Sequence, residues 1–152
     1  MRWSVLSELP DDVFQQWQKT GGSLNPSSVL ASINEDGSPR TAPFGSLRAI
    51  SPKLLRLLVH KSHDTLANIV RDNRIMIALV SPPNTAASVK GIARVIQHEW
   101  EGDRRYALIE IEVLEVKNDM PVQIKIESGI SISPSGPFQD WWNGVWPEFE
   151  NI

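Results

Sequence analysis

Residues 54–80 read LLRLLVHKSHDTLANIVRDNRIMIALV. An apolar run is followed by a polar elbow at 60–65, then by a segment with Leu66, Ile69 and Val70 at helical spacing, then by a second apolar run at 75–80. The order is strand, elbow, helix of two to three turns over 64–73, strand. Asp64 or Thr65 is the expected N-cap. The elbow gathers Lys61, His60, His63 and the hydroxyls of Ser62 and Thr65 ahead of a helix start. Unpaired N–H groups at such a start favour an anion. An anion site and a solvated turn with Thr65 as a cap and Asn68 as a surface amide both fit these residue types. The run 75–80 shows no alternation, which predicts burial on both faces by a helix or a second subunit.

Upstream, residues 29–33 (VLASI) and 40–47 (RTAPFGSL) flank NEDGSP, a hairpin signature with Asp36 and Gly37 at the turn. Pro43 lacks a backbone donor, so its strand is expected to have an edge, a bulge or a ligand there. Residues 9–19 predict a helix with Pro10 near its first position, Asp11 and Asp12 at the positive end of the dipole, and Val13, Phe14 and Trp17 on the inner face. Gly21 and Gly22 are expected to end it.

Downstream, VKGIARVIQHEW at 89–100 reads as a long strand with Gly91 as a bulge or close-approach point. YALIEIEVLEV at 106–116 alternates, with Ala107, Ile109, Ile111 and Val113 on one side and Glu110 and Glu112 on the other. Residues 122–126 (VQIKI) and 129–133 (GISIS) add two short strand candidates. The chain is therefore mainly β, with about seven strands and two or three short helices. The tail over 134–152 carries Trp141, Trp142 and Trp146, half of the six tryptophans. That much aromatic surface is expected to dock on its own sheet, on a partner or over a ligand.

At 152 residues the chain reads as one domain, 1–152. No apolar run approaches the roughly 18–20 residues of a membrane span. The N-terminus lacks the apolar stretch of a secretory signal, so a cytoplasmic protein is expected. Absence of cysteine excludes thiol catalysis and thiolate metal sites. A net charge of −3 argues against nucleic-acid binding and an OB-like barrel. No P-loop, GxGxxG, HExxH or GxSxG motif is present. His60, His63 and Asp64 need a distant third ligand such as His98, so no metal is expected. Neighbours on one turn also cannot form a serine triad around Ser62.

The hairpin DGSPRTAP, the strand LLRLLVH, the elbow, the helix TLANIVRDNR and the strand IMIALV, in that order over about 29–116, resemble the pyridoxamine 5'-phosphate oxidase-like superfamily of FMN-binding split barrels. The resemblance implies a six- to seven-stranded antiparallel split β-barrel and a homodimer with flavin at the subunit interface. It places the FMN phosphate at Lys61, Ser62 and Thr65, with Arg40 and Asn68 facing the same pocket. The isoalloxazine would lie along Thr41, Ala42, Pro43, Val59 and His60, with Arg94 or the tail tryptophans contributed by the other subunit. The Ser-Arg-Lys elbow of the true oxidases is replaced here by His63-Asp64-Thr65 or Ser62-His63-Asp64, and no Lys or Arg follows Lys125. Pyridoxamine phosphate is therefore not the expected substrate. The Thr65-x-x-Asn68 pattern is closer to general stress proteins, flavin reductases and haem-handling relatives. The expected activity is FMN-dependent oxidoreduction of an unknown substrate, with His60 as the candidate catalytic side chain. Non-catalytic binding of flavin, deazaflavin or haem is the alternative.

Overall fold

The computed structural model describes residues 4–121 and 123–151. Its strands are β1 (Val5–Leu6), β2 (Ser28–Ile33), β3 (Pro39–Phe44), β4 (Arg48–Ser51), β5 (Leu54–His60), β6 (Arg74–Ser81), β7 (Thr85–Gln97) and β8 (Tyr106–Asn118). Its helices are α1 (Asp11–Trp17), α2 (Asp64–Arg71) and α3 (Gly136–Glu150). The strands form one antiparallel sheet in the order β3-β2-β6-β7-β8-β5-β4, with β1 added beside β8. Its two end strands, β3 and β4, are consecutive in the chain and joined by Gly45, Ser46 and Leu47. The sheet wraps a core that includes Leu55, Leu57, Ile77, Val89, Ile109 and Ile111. No helix among the described residues is long and apolar enough to cross a membrane.

Long-range pairing created strands that local patterning missed. Residues 48–51 form β4 because β5 offers them a free edge. Val5 and Leu6 likewise pair with Val116 and Lys117. The opposite error occurs at 123–135, which contains no strand. Of the two expected strands there, one begins at Val122, outside the described residues. The segment crosses the sheet on isolated bonds, Ile126 N–H to Pro83 C=O at 2.9 Å and Ser27 N–H to Ile130 C=O at 3.2 Å. Without a continuous partner, alternation alone does not make a ladder.

The run at 75–80 alternates after all. Ile75, Ile77 and Leu79 are buried, whereas Met76 and Val80 on the outer face are more than a third exposed in the single chain. Among the described residues no helix covers that face. In α2 the buried stripe is Thr65, Asn68 and Ile69, and Val70 is 62% exposed. Its N-cap is His63, not Asp64 or Thr65: the His63 Nδ1 accepts from the Thr65 N–H at 3.1 Å. Helix α1 stops at Trp17, earlier than expected, because Lys19 must leave the helical path to reach the Gly45 carbonyl at 3.1 Å. Gly21 and Gly22 then make a positive-φ turn outside the helix. The hairpin and Gly91 match their sequence signals: Gly37 has φ 88°, and the β7–β8 register shifts at Lys90/Gly91.

The tryptophan tail is helix α3, docked on its own sheet. Pro147 within it cannot donate a helical hydrogen bond, and Gly144 adds backbone entropy cost, so propensity does not hold it. Packing does. Trp142, Val145 and Phe149 bury against Leu58, Trp100 and Leu108 as a second core. This explains why β8 is buried on both faces near Leu108 instead of alternating throughout. The Trp142 indole donates to the Gly22 carbonyl at 2.7 Å. Arg48, 4% exposed, lies 5.7 Å from the Trp142 ring centroid, pairs with Glu150 at 3.2 Å and donates to the Ser23 carbonyl at 2.7 Å.

Candidate functional site

Strand β3 is an end of the sheet, so one of its backbone edges is open. The Asn34 N–H donates to the Ser38 carbonyl at 2.8 Å, which makes 34/38 a bonded pair. Pairs alternate along an antiparallel ladder. The partners Ile33↔Pro39, Ala31↔Thr41 and Val29↔Pro43 are therefore the non-bonded ones, and on β3 their backbone groups face the open edge. Pro39 and Pro43 have no N–H there. Thr41 N–H is left as the donor between two prolines that otherwise blunt the edge.

Two depressions flank this edge. Near the Arg40 end, β2, the hairpin and α2 surround an open basin of about 520 Å³ lined by Asn34, Arg40, Asp64, Asn68 and Arg71, among others. Arg40 Nε donates to Asn34 Oδ1 at 2.9 Å, and its guanidinium stands 3.7 Å from Asp64. That exposed pair contributes little by itself. Arg71 donates to the Ile33 carbonyl at 3.1 Å and to Asn68 Oδ1 at 3.2 Å. Asn68 is buried, and its amide donates to Ser32 Oγ and Asn34 Oδ1. It is not a surface amide, but a brace between α2 and β2. Glu35 and Asp36 also border the basin, with Asp36 held below the usual carboxylate range by hydrogen bonds from Ser38.

Near the Pro43 end lies a groove of about 270 Å³ between the β3–β4 connection, the end of β5 and helix α3. Pro43, Phe44, His60, His63, Tyr106 and Trp141 are among its walls. Tyr106 stacks on Trp141 at 4.4 Å and meets the His60 ring edge-on at 5.1 Å. Burial pushes the Tyr106 phenol up from its ordinary value. Trp141 is oriented by an indole hydrogen bond to Asp103 at 2.7 Å, and Arg105 holds that carboxyl well below the usual carboxylate range.

The residues singled out in sequence divide between these places. Arg40, Asp64 and Asn68 meet in the basin; Pro43, His60 and His63 meet in the groove. Thr65 is buried on the inner face of α2. Lys61 leans toward Glu99 at 3.5 Å, and Ser62 Oγ bonds His60 Nδ1 at 2.8 Å, so neither lines the basin. Arg94 instead forms a 2.6 Å pair with the buried Glu110, which Arg56 also contacts at 3.3 Å. Arg71 was missed because a basic residue in a helix's last turn reads as a dipole partner. Tyr106 was missed because it opens a strand 46 residues from His60 in sequence, though it is the direct register partner of His60. Among the described residues no group of three His, Asp or Glu side chains could hold a metal.

No protein-family model matches the sequence, and neither does any curated protein. Solved structures do match. A provisionally named pyridoxamine 5'-phosphate oxidase of Lactobacillus delbrueckii aligns with a TM-score of 0.54 at 20% identity, over 73% of this chain and 98% of that one. The fold is a split barrel. An F420 reductase aligns at 0.57 with 12% identity, over 71% and 98% of the two chains. An FMN-binding protein from Syntrophomonas wolfei aligns at 0.55 with 9% identity, over 74% and 89%.

Proposed function

We propose that this split barrel binds FMN along the open edge of β3 and serves as a flavin-dependent oxidoreductase. The observation that carries the reading is the placement of a basin with two arginines and an aromatic groove at opposite ends of one unpaired strand edge. Arg40 and Pro43 are three residues apart, about 10 Å along a strand, close to the reach of a ribityl chain between a phosphate and a ring. Arg40 and Arg71 are suited to the phosphate, since guanidinium groups bind it through paired N–H donors. Asn68 braces Arg71, and buried Thr65 anchors α2. Thr41 N–H and the Pro43 backbone, which face the open edge, would line the flavin with the His60 imidazole near the ring, whereas the Ala42 backbone faces β2 and Val59 is buried in the core opposite Ala107. Bound flavin supplies hydride or electron transfer, and the protein supplies orientation and water exclusion.

The FMN-binding and F420 reductase relatives of the fold support a flavin class of ligand. The same reading includes a homodimer. The outer face of β2, β6 and β7 carries an apolar depression of about 480 Å³ with Ile33, Met76, Ile92 and Leu114 on its walls, which a second copy would cover. Sedimentation analysis is expected to give twice the chain mass, and Met76→Lys to give monomers; a wild-type monomer overturns the dimer.

The function is tested by titrating the purified protein with FMN and with riboflavin, following flavin fluorescence and absorbance. FMN is expected to bind, and Arg40→Ala with Arg71→Ala to weaken FMN at least tenfold while changing riboflavin little, as loss of charge-assisted bonds to phosphate requires. Absence of FMN binding, or equal losses for both ligands, refutes the phosphate assignment. A Soret band in the isolated protein would identify a haem protein. NADH- or NADPH-driven bleaching of bound flavin is the expected sign of turnover, and its absence with both donors favours binding alone.

A further inference from the structure

Lys19, on the connection after α1, and Arg48, on β4, are both buried, and both donate to one oxygen. Lys19 Nζ stands 3.1 Å and Arg48 Nη1 3.0 Å from the Gly45 carbonyl. Among the described residues that carbonyl is the one acceptor Lys19 has, because the Glu150 carboxylate is turned to Arg48 at 3.2 Å and to the Gly22 N–H at 2.9 Å. Arg48 Nε is buried without a hydrogen-bond partner among the described residues, an idle donor where buried donors are ordinarily satisfied. Lys19 and Arg48 line a pocket of about 290 Å³ with Gln18, Thr20, Arg56 and Asn151. Its charged walls besides Lys19 are Arg48 from β4, Arg56 from β5 and Glu150 from α3. Arg56 shares the single carboxylate of Glu110 with Arg94, so guanidinium groups outnumber carboxylates and the cluster lacks an anion. Burial and the Arg48 charge bring the Lys19 pKa down to about 7. Near neutrality about half of Lys19 is free amine, whereas a lysine at its ordinary pKa is almost wholly protonated.

From this cluster we infer that Lys19 is a modification site for carbon dioxide, which its Nζ captures as a carbamate held beside Arg48. The Nζ lone pair forms the new N–C bond, one C–O π bond of carbon dioxide opens to an oxygen lone pair, and one Nζ proton passes to solvent. Amine and carbon dioxide thus become a carbamate anion and a proton, with no change of oxidation state. The N–H that remains keeps the Gly45 carbonyl as its acceptor. The anion supplies the charge the cluster lacks, and the idle Arg48 Nε–H is a charge-assisted donor for it. Carbon dioxide also suits the approach, since an uncharged molecule reaches a buried amine without the desolvation cost of an ion. None of this rests on the flavin reading.

The test equilibrates the folded protein with isotopically labelled bicarbonate and dissolved carbon dioxide at pH 8, traps carbamates with triethyloxonium, and locates the ethoxycarbonyl groups by peptide mass spectrometry. Lys19 is expected to carry the label at least about tenfold above each of the exposed lysines Lys53, Lys61, Lys90, Lys117 and Lys125, whose amines are ordinarily protonated at this pH. Unfolding in guanidinium chloride should erase that preference, because it restores the ordinary lysine pKa. Carbon dioxide should also raise the thermal midpoint of the wild type above a chloride control at equal pH and ionic strength, since the adduct belongs to the native chain. The midpoint of Lys19→Met should not respond. Label absent, confined to the chain's α-amine or spread evenly over the lysines, a preference that survives unfolding, or a wild-type midpoint that does not move overturns the inference. The labelling is read on the wild type, so it stands even where Lys19→Met does not fold.

Discussion

Lys19 offers a quantitative test of the packing between α1, β4 and α3. It is 8% exposed, donates to the Gly45 carbonyl and lies near Arg48. Burial first, and the Arg48 charge second, lower its pKa from 10.5 to about 7. Its unfolded pKa is the ordinary lysine value, so between pH 7 and 10.5 the unfolded chain holds a proton that the native chain has released. Stability must then rise with pH across that window, at up to about 1.4 kcal/mol per pH unit. At pH 7 the native lysine is half protonated, and the ionisation penalty relative to high pH is about 4 kcal/mol; at pH 9 it is about 2 kcal/mol. Lys19→Met keeps an unbranched side chain in the space and removes the titration, while Arg48 still donates to the Gly45 carbonyl at 3.0 Å. The assay is urea denaturation of both proteins at pH 7, 8 and 9, read by tryptophan fluorescence, taking the wild-type minus variant difference so that other titrations cancel. That difference is expected to move by about 2 kcal/mol in favour of the wild type from pH 7 to pH 9. A difference that stays flat, or moves the other way, refutes the account of Lys19 as a buried, desolvated amine.

Two further substitutions probe the fold around the site. Trp142→Ala removes one of the two buried tryptophans of the second core and its hydrogen bond to Gly22, and is expected to cost ~3–5 kcal/mol in denaturant unfolding; an unfolding midpoint equal to wild type would contradict the docking of α3. Gly91→Val is expected to cost ~1–3 kcal/mol, because even a Cβ there would lie 2.7 Å from Ile111 Cγ2 and 2.8 Å from the Glu112 carbonyl oxygen; a melting temperature equal to wild type would contradict the bulge packing.

The sequence of residues 29–116 was enough to determine a mainly antiparallel β chain and the order of its hairpin, elbow and helix, because alternation, turn residues and Gly91 act over a few neighbouring positions. It also determined that the edge strand carries Pro43 and that the elbow's residues cluster. Tertiary structure decided what these features face. Strand β4 exists because β5 was available to pair with it, whereas 123–135 lacked a continuous partner despite its alternation. The outer face of β6 looked buried in sequence because Met76 and Val80 are apolar, but apolarity does not say whether anything covers a residue. Lys61 and Arg71 were equally basic in sequence; only the packing of α2 on β2 brought Arg71 beside Arg40 and left Lys61 with Glu99. The aromatic groove joins β5, β8 and α3 across more than 70 residues of chain. No local pattern encodes such a meeting, because it arises from burial of side chains whose partners are chosen by the whole sheet.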